Sequence, residues 1–292
     1  MFEHVLVPTD FSDHAKKTIR CFTRIPGMGH VILLHVVDAT HHSKWGWTHG
    51  PAIENAKIVL QEEEKWLKDA GFSVSARLEV ITSGDTPRAI LEVAQQEKVT
   101  TIIMGSRGRS LIKGIFLGSV SSGVLRWGSP HLLIMRDAVS SSLTDEKITR
   151  LCDSILTRIL FPTDFSEPAK NALLALQVLK GAGEILLLNV VTKGETKNEI
   201  REKVAEATKK LELLRNELLR AGIKAQIRIR LGRPTDEIVR LADEEDVTLI
   251  AMSSHGKGLF EELLIGSTTH GVAIHALHPV LVMRTRKDLK KE

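Results

Sequence analysis

The sequence predicts an α/β protein made of two tandem copies of one domain, each a five-stranded parallel sheet of α/β/α type. Three observations carry this. Pro8-Thr9-Asp10-Phe11-Ser12 recurs as Pro162-Thr163-Asp164-Phe165-Ser166. Gly118-Ser119 recurs as Gly266-Ser267, and Ile134-Met135-Arg136 as Val282-Met283-Arg284. Short apolar runs alternate with longer amphipathic stretches in the same order in both halves. Such a period in a chain of 292 residues means duplicated domains and not a solenoid. Short apolar strands between amphipathic helices imply parallel sheets covered on both faces, with right-handed crossovers.

In the first half, strands are expected at Val5–Pro8, His30–Val37, Ser73–Ile81, Thr100–Met104 and Leu132–Met135. Helices are expected at Asp13–Thr23, Ala52–Ala70, Thr86–Glu97 and Gly118–Trp127. Gly71 is placed to end the second helix, and Pro87 sits early in the third, where proline is tolerated. The second half repeats the order. Its strands are expected at Ile159–Phe161, Glu184–Val191, Lys224–Arg230, Thr248–Met252 and Val280–Met283. Its helices are expected at Pro168–Leu179, Asn198–Ala221, Pro234–Glu244 and Ser267–Ala276. The domains are drawn as 1–137 and 157–287, joined by a linker over 138–156 that contains Ser140-Ser141-Ser142. The copies are offset by 154 residues at the first motif and 148 at the later ones, and the surplus is expected in the loop 38–50 of the first copy.

Hydrophobic residues make up 42% of the chain and charged residues 26%, as in ordinary globular protein. The net charge of +4 is mild at this length, aromatics are only 4%, and there is no Tyr, so a nucleic-acid surface built on basic and stacking groups is disfavoured. No apolar run approaches a membrane span, and Met1-Phe2-Glu3-His4 does not read as a signal peptide. Cys21 and Cys152 form no motif and are expected to form no disulfide framework, which points to a reduced cytoplasm.

Ligands of open parallel sheets bind beyond the carboxyl ends of the strands, near the switch in strand order. After the fourth strand the first half reads Gly105-Ser106-Arg107-Gly108, then nine residues, then Gly118-Ser119. Gly105 turns the chain off the strand, and Gly108 lets backbone N–H groups approach a ligand. Gly118-Ser119 opens a helix whose unpaired N–H groups favour an anion. Arg107, Arg109 and Lys113 supply charge. The second half keeps Gly256, Gly266 and Ser267 at the same spacing but has Ser253 where the first glycine belongs, with His255, Lys257 and Thr268 nearby. Serine is harmless there if φ stays negative and costly otherwise. There is no G-x-x-x-x-G-K-[ST] loop and no G-x-G-x-x-G after either first strand, which excludes the P-loop and disfavours a dinucleotide fold.

The pattern G-x2-G-x9-G-[ST] after strand four, with Pro-Thr-Asp ending strand one, resembles the universal stress protein family over nearly the whole chain, once per half. The resemblance implies an adenine nucleotide α-hydrolase-like fold that binds ATP or AMP, with or without Mg, and that dimerises through the last strand. It implies that Asp10 and the backbone around Val36 and Val37 hold adenosine, while Gly105, Gly108, Gly118 and Ser119 hold ribose and phosphates. In the second half Asp164, Val190, Val191, Gly256, Gly266 and Ser267 take these places. The full nucleotide-binding set adds Pro8, Thr9, Met104, Arg107, Arg109 and Val120 in the first half. It adds Pro162, Thr163, Met252, Ser253, His255, Lys257 and Thr268 in the second.

The function so implied is a cytoplasmic, nucleotide-dependent stress-response regulator. Occupancy would order the loops 109–117 and 257–265 and so change a surface that a protein partner reads. The alternatives are a slow ATP-hydrolysing enzyme, at most a weak ATPase, and a nucleotide-free scaffold in the second domain. No catalytic residue is assigned. No metal site is assigned either, since nothing fixes a geometry for His41, His42 and His49, which read as an exposed loop with Trp45 and Trp47. The apolar last strands are expected to pair the halves as a pseudo-dimer, with a further homodimer open. Neither a membrane nor nucleic acid is expected as a partner.

Overall fold

The computed structural model describes residues 1–40, 50–107, 117–136, 152–192, 196–256 and 265–284. The chain divides into two compact units, Met1–Ser140 and Ser141–Glu292. The first runs β1 (His4–Pro8), α1 (Asp13–Phe22), β2 (His30–Asp38), α2 (Gly50–Asp69), β3 (Val74–Ile81), α3 (Thr86–Gln96), β4 (Thr101–Gly105), α4 (Ser119–Trp127) and β5 (His131–Met135). The second runs β6 (Arg158–Pro162), α5 (Glu167–Gln177), β7 (Glu184–Val191), α6 (Lys197–Arg220), β8 (Ala225–Leu231), α7 (Pro234–Glu244), β9 (Leu249–Ser253), α8 (Ser267–His275) and β10 (Val280–Met283).

Within the first unit the strand order is β3-β2-β1-β4-β5, and within the second it is β8-β7-β6-β9-β10. The pairs within each unit are parallel. Each chain half winds outward from its first strand and then returns to the other side, so the order reverses between β1 and β4 and between β6 and β9. The central strands are aliphatic because helices cover both faces: Val5, Leu6 and Val7 are fully buried, as are Ile159, Leu160 and Phe161.

Strand register places the two copies on one scale. Val31 and Val74 are partners in the first unit, as Ile185 and Ala225 are in the second. The offset between copies therefore falls from 154 residues at β2 to 151 at β3, and it reaches 148 at α3, where the buried Ile90 matches Ile238. The surplus of the first copy is thus split. Three residues lie between β2 and α2 and three between β3 and α3, which corrects the expectation of one insertion in the loop 38–50. A second correction concerns the cysteines. Cys21 and Cys152 are buried and neither is a free thiol; both are disulfide-bonded. The inference of a reduced compartment loses its support accordingly. No helix among the described residues is long and apolar enough to cross a membrane.

Candidate nucleotide site

Each unit has a cleft at its switch point. In the first, a cleft of about 280 Å³ is bounded by the carboxyl ends of β1, β2 and β4 and the first turns of α3 and α4. In the second, a cleft of about 660 Å³ occupies the same place.

A strained turn leaves β1 on one side of the cleft. Phe11 has φ of 62°, a left-handed conformation that costs a bulky residue about 1 kcal/mol or more. Two side chains hold it there. Thr9 Oγ1 accepts from the Phe11 N–H at 3.1 Å, and Asp10 Oδ1 accepts from the Ser12 N–H at 3.1 Å and the Ser12 hydroxyl at 2.5 Å. The second copy is the same: Phe165 has φ of 62°, Thr163 Oγ1 accepts from its N–H at 3.0 Å, and Asp164 Oδ1 accepts from the Ser166 N–H at 3.0 Å. The helix caps are Ser12 and Ser166, so neither aspartate is a cap. Each instead braces the cap and the turn.

The floor differs between copies. His35 Nδ1 lies 2.7 Å from the Thr9 carbonyl, which requires the tautomer with a proton on Nδ1, and its ring stacks on Phe11 at 4.1 Å. In the second unit Asn189 Nδ2 donates to the Thr163 carbonyl at 2.7 Å. Either residue fixes the strand end from which the turn departs.

On the opposite side, α4 and α8 start at Gly118 and Gly266, both extended, with no side chain capping the helix. Helix geometry leaves the next three N–H groups without an intrahelical acceptor. Gly118 N–H donates to the Ser106 carbonyl and Gly266 N–H to the Ser254 carbonyl, each at 2.8 Å. Ser121 Oγ donates to Gly105 O at 2.8 Å and Thr269 Oγ1 to Ser253 O at 2.9 Å. These bonds aim the helix start at the cleft.

Ser253 fits without strain. Its φ is not positive, and its hydroxyl donates to the His255 carbonyl at 2.6 Å. A Cβ on Gly105 would lie 3.1 Å from the matching Arg107 carbonyl and 3.4 Å from Thr18 Oγ1. The second copy has Ala172 in place of Thr18, so a hydroxyl has moved from the helix to the strand end.

Of the residues predicted from sequence, Pro8, Thr9, Asp10, Val36, Met104, Gly105, Arg107, Gly118, Ser119 and Val120 line the first cleft. Val37 is buried in β2 and does not. Pro162, Thr163, Asp164, Val190, Val191, Met252, Ser253, His255, Gly256, Gly266, Ser267 and Thr268 line the second. Gly108, Arg109, Lys113, Lys257 and the residues 41–49 lie outside the described residues. Sequence reasoning missed His35 and Asn189, and it missed Lys203, Glu206 and Lys210, which α6 brings to the second cleft. Lys210 pairs with Glu206 and sits 5.5 Å above the Phe165 ring. The copies could have been compared position by position to find His35 and Asn189; the α6 residues needed the packing of the helix. No group of three or more metal-ligating side chains occurs among the described residues.

Burial pushes the Glu63 carboxyl on α2 up to about 7; Lys16 and the Thr9 hydroxyl oppose this, and Asp10 adds to it. Unfolding returns the group to an ordinary value of 4.5, so the folded state holds a proton that the unfolded state releases between pH 4.5 and 7. Stability attributable to this group falls as pH rises through that window and levels off above it. Glu63→Gln is therefore expected to match the parent near pH 4 and exceed it by about 1–2 kcal/mol at pH 8, a figure discounted for partial exposure. Thermal melts of the two proteins across this range check it.

The profile of the universal stress protein family matches residues 1–132 and 156–284. A universal stress protein of Methanocaldococcus jannaschii is 36% identical over 156 residues, covering 45% of this chain and 96% of its own. One from Mycolicibacterium smegmatis is 23% identical over 301 residues and covers 97% of both chains. The crystal structure of a universal stress protein from Archaeoglobus fulgidus superposes with a TM-score of 0.72 at 26% identity, covering 97% of both chains.

Proposed function

The chain belongs to the universal stress protein family, with a family match in each half, and on that footing we propose that it is a regulatory protein that binds ATP or AMP in both clefts. The observation that carries this is the pairing, in each cleft, of an uncapped helix start with a turn braced by a carboxylate. The open N–H groups of α4 and α8 suit a phosphate. A carboxylate at the rim of the cleft, Asp10 or Asp164, suits ribose hydroxyls or the edge of a base. The nucleotide state would then be read by a partner through the surface around the cleft. The fit of Ser253 and the room in the second cleft favour binding there too, over a nucleotide-free scaffold.

Calorimetric titration of ATP and AMP, with and without Mg²⁺, tests the reading in the parent, Gly118→Val and Gly266→Val. A Cβ at Gly118 meets only ordinary contacts, the nearest at 3.5 Å, and at Gly266 the nearest is at 3.3 Å, so both variants are expected to fold. The branched methyls enter the space where phosphate would sit. The expected result is two sites in the parent and one in each variant, with the lost site weakened about 100-fold or more, on the order of 3 kcal/mol. A parent chain that binds no nucleotide overturns the reading.

A further inference from the structure

Glu63 is on α2, which packs on β2 and β3, and its carboxyl feels the Thr9 hydroxyl and the charges of Lys16 and Asp10. Both its carboxylate oxygens are enclosed, and among the described residues neither has a formed hydrogen bond. Ala56, Leu60 and Leu67 are the buried face of α2, and Ala207, Leu211 and Leu218 that of α6, which places Leu214 opposite Glu63. An acid therefore stands where the duplicate keeps an aliphatic residue. Two of the groups it feels, Thr9 and Asp10, line the first cleft and brace its strained turn.

We propose that Glu63 is a positioning residue of the first nucleotide cleft, one that supports the Thr9–Ser12 turn in its ligand-binding form only while its carboxyl is neutral. The proposal rests on the nucleotide reading above. With a proton, the carboxyl adds no charge beside Asp10 and can donate to an oxygen of the turn. Without it, two carboxylates crowd one turn and face an anionic ligand across it. The shifted titration of Glu63 toward neutrality is consistent with this geometry.

The charged groups around it come from each packed element. Asp10 follows β1, Lys16 is on α1, and Glu62 and Glu64 flank it on α2, Glu64 being paired with Lys68 at 2.8 Å. His35 on β2 lies across Thr9. His35 is the other titratable side chain at the turn, so its contribution is separated from that of Glu63.

The test uses the full chain carrying Gly266→Val, which leaves the first cleft as the only intact one. MgATP is titrated from pH 6 to 8.5 into this protein and into versions that add Glu63→Gln, Glu63→Leu or His35→Asn. Titration of the ligand itself is common to all and cancels in ratios of Kd. The expected result is a ratio of parent to Glu63→Gln near one at pH 6 that rises to about tenfold at pH 8.5. Glu63→Leu, which copies the second unit, also lacks the slope, and His35→Asn retains it. Parallel curves for Glu63 and Glu63→Gln overturn the proposal, as does a slope that His35→Asn removes and Glu63→Gln keeps. Absence of binding heat in every protein at every pH is a different result, and it sinks the nucleotide reading itself.

Discussion

Alanine at Gly29 or Gly183 is expected to destabilise its own unit by about 3–5 kcal/mol. Each glycine precedes the second strand of its copy. A Cβ on Gly29 would lie 2.1 Å from the Glu3 carbonyl oxygen, and one on Gly183 would lie 2.3 Å from that of Thr157. The obstacle is backbone, so no rotamer change relieves it. The same backbone closes the start of the parallel ladder. Gly29 N–H donates to Phe2 O at 2.7 Å and His30 N–H to Glu3 O at 2.9 Å, while Gly183 and Glu184 donate to Leu156 and Thr157 at 2.8 and 2.9 Å. Separating the strands enough to admit a methyl group breaks those bonds and shifts the buried cores of β1 or β6 against their neighbours. Overpacking of about 1–3 kcal/mol and two weakened hydrogen bonds at about 1 kcal/mol each give the range. For a unit of this size it corresponds to a fall in Tm of roughly 10 °C. Gly71→Ala is the control: φ is +89° and nothing lies within 4 Å of the new Cβ, so only the left-handed penalty of about 1 kcal/mol is expected. Calorimetric melts that show Gly29→Ala no worse than Gly71→Ala would mean that β1 and β2 leave room for a methyl group at Gly29.

That glycine pair shows how much of the fold was legible. The repeat exposed both copies, and the period of the apolar residues placed the strands within a residue or two: His30–Asp38 formed where His30–Val37 was expected, and Val280–Met283 as expected. Strands buried on both faces are uniform apolar runs, which leaves little ambiguity. Gly29 and Gly183 carry no signal in the sequence, because a close backbone approach leaves no periodic trace. The surplus of the first copy was misplaced for a related reason. The repeated motifs bracket the ends of the domain, and only strand register subdivides the interval between them.

The site was legible where it is built from backbone. Gly118, Gly266, Asp10 and Asp164 belong to local motifs whose chemistry is contained in a few adjacent residues. Val36 lines the first cleft while Val37 is buried in the core, although its counterpart Val191 does line the second cleft. Residues carried in by the long helices, Lys203, Glu206 and Lys210 in one copy and Glu63 in the other, depend on how α6 and α2 lie against the sheet. Each reads in isolation as a solvated charge on an amphipathic helix.

Gly256→Ala is expected to weaken nucleotide binding in the second unit by about 30- to 100-fold, with a stability loss of about 1–2 kcal/mol. The new Cβ would lie 2.4 Å from Asp164 Oδ2. A terminal oxygen can usually swing aside, but here the other oxygen of the same carboxylate holds the Ser166 N–H at 3.0 Å. Rotation that clears the methyl group gives up that bond, and Phe165 then loses one of the braces on its left-handed backbone. The effect on affinity exceeds the effect on stability because the carboxylate both shapes the turn and faces the cleft. A double-mutant cycle separates these roles. Asp164→Ala in the Gly256→Ala background removes the clash, so the melting temperature should recover toward that of Asp164→Ala alone while nucleotide binding stays lost. Full affinity in Gly256→Ala would show that Asp164 relocates without consequence and that the ligand is held by the start of α8 and the glycine loop alone.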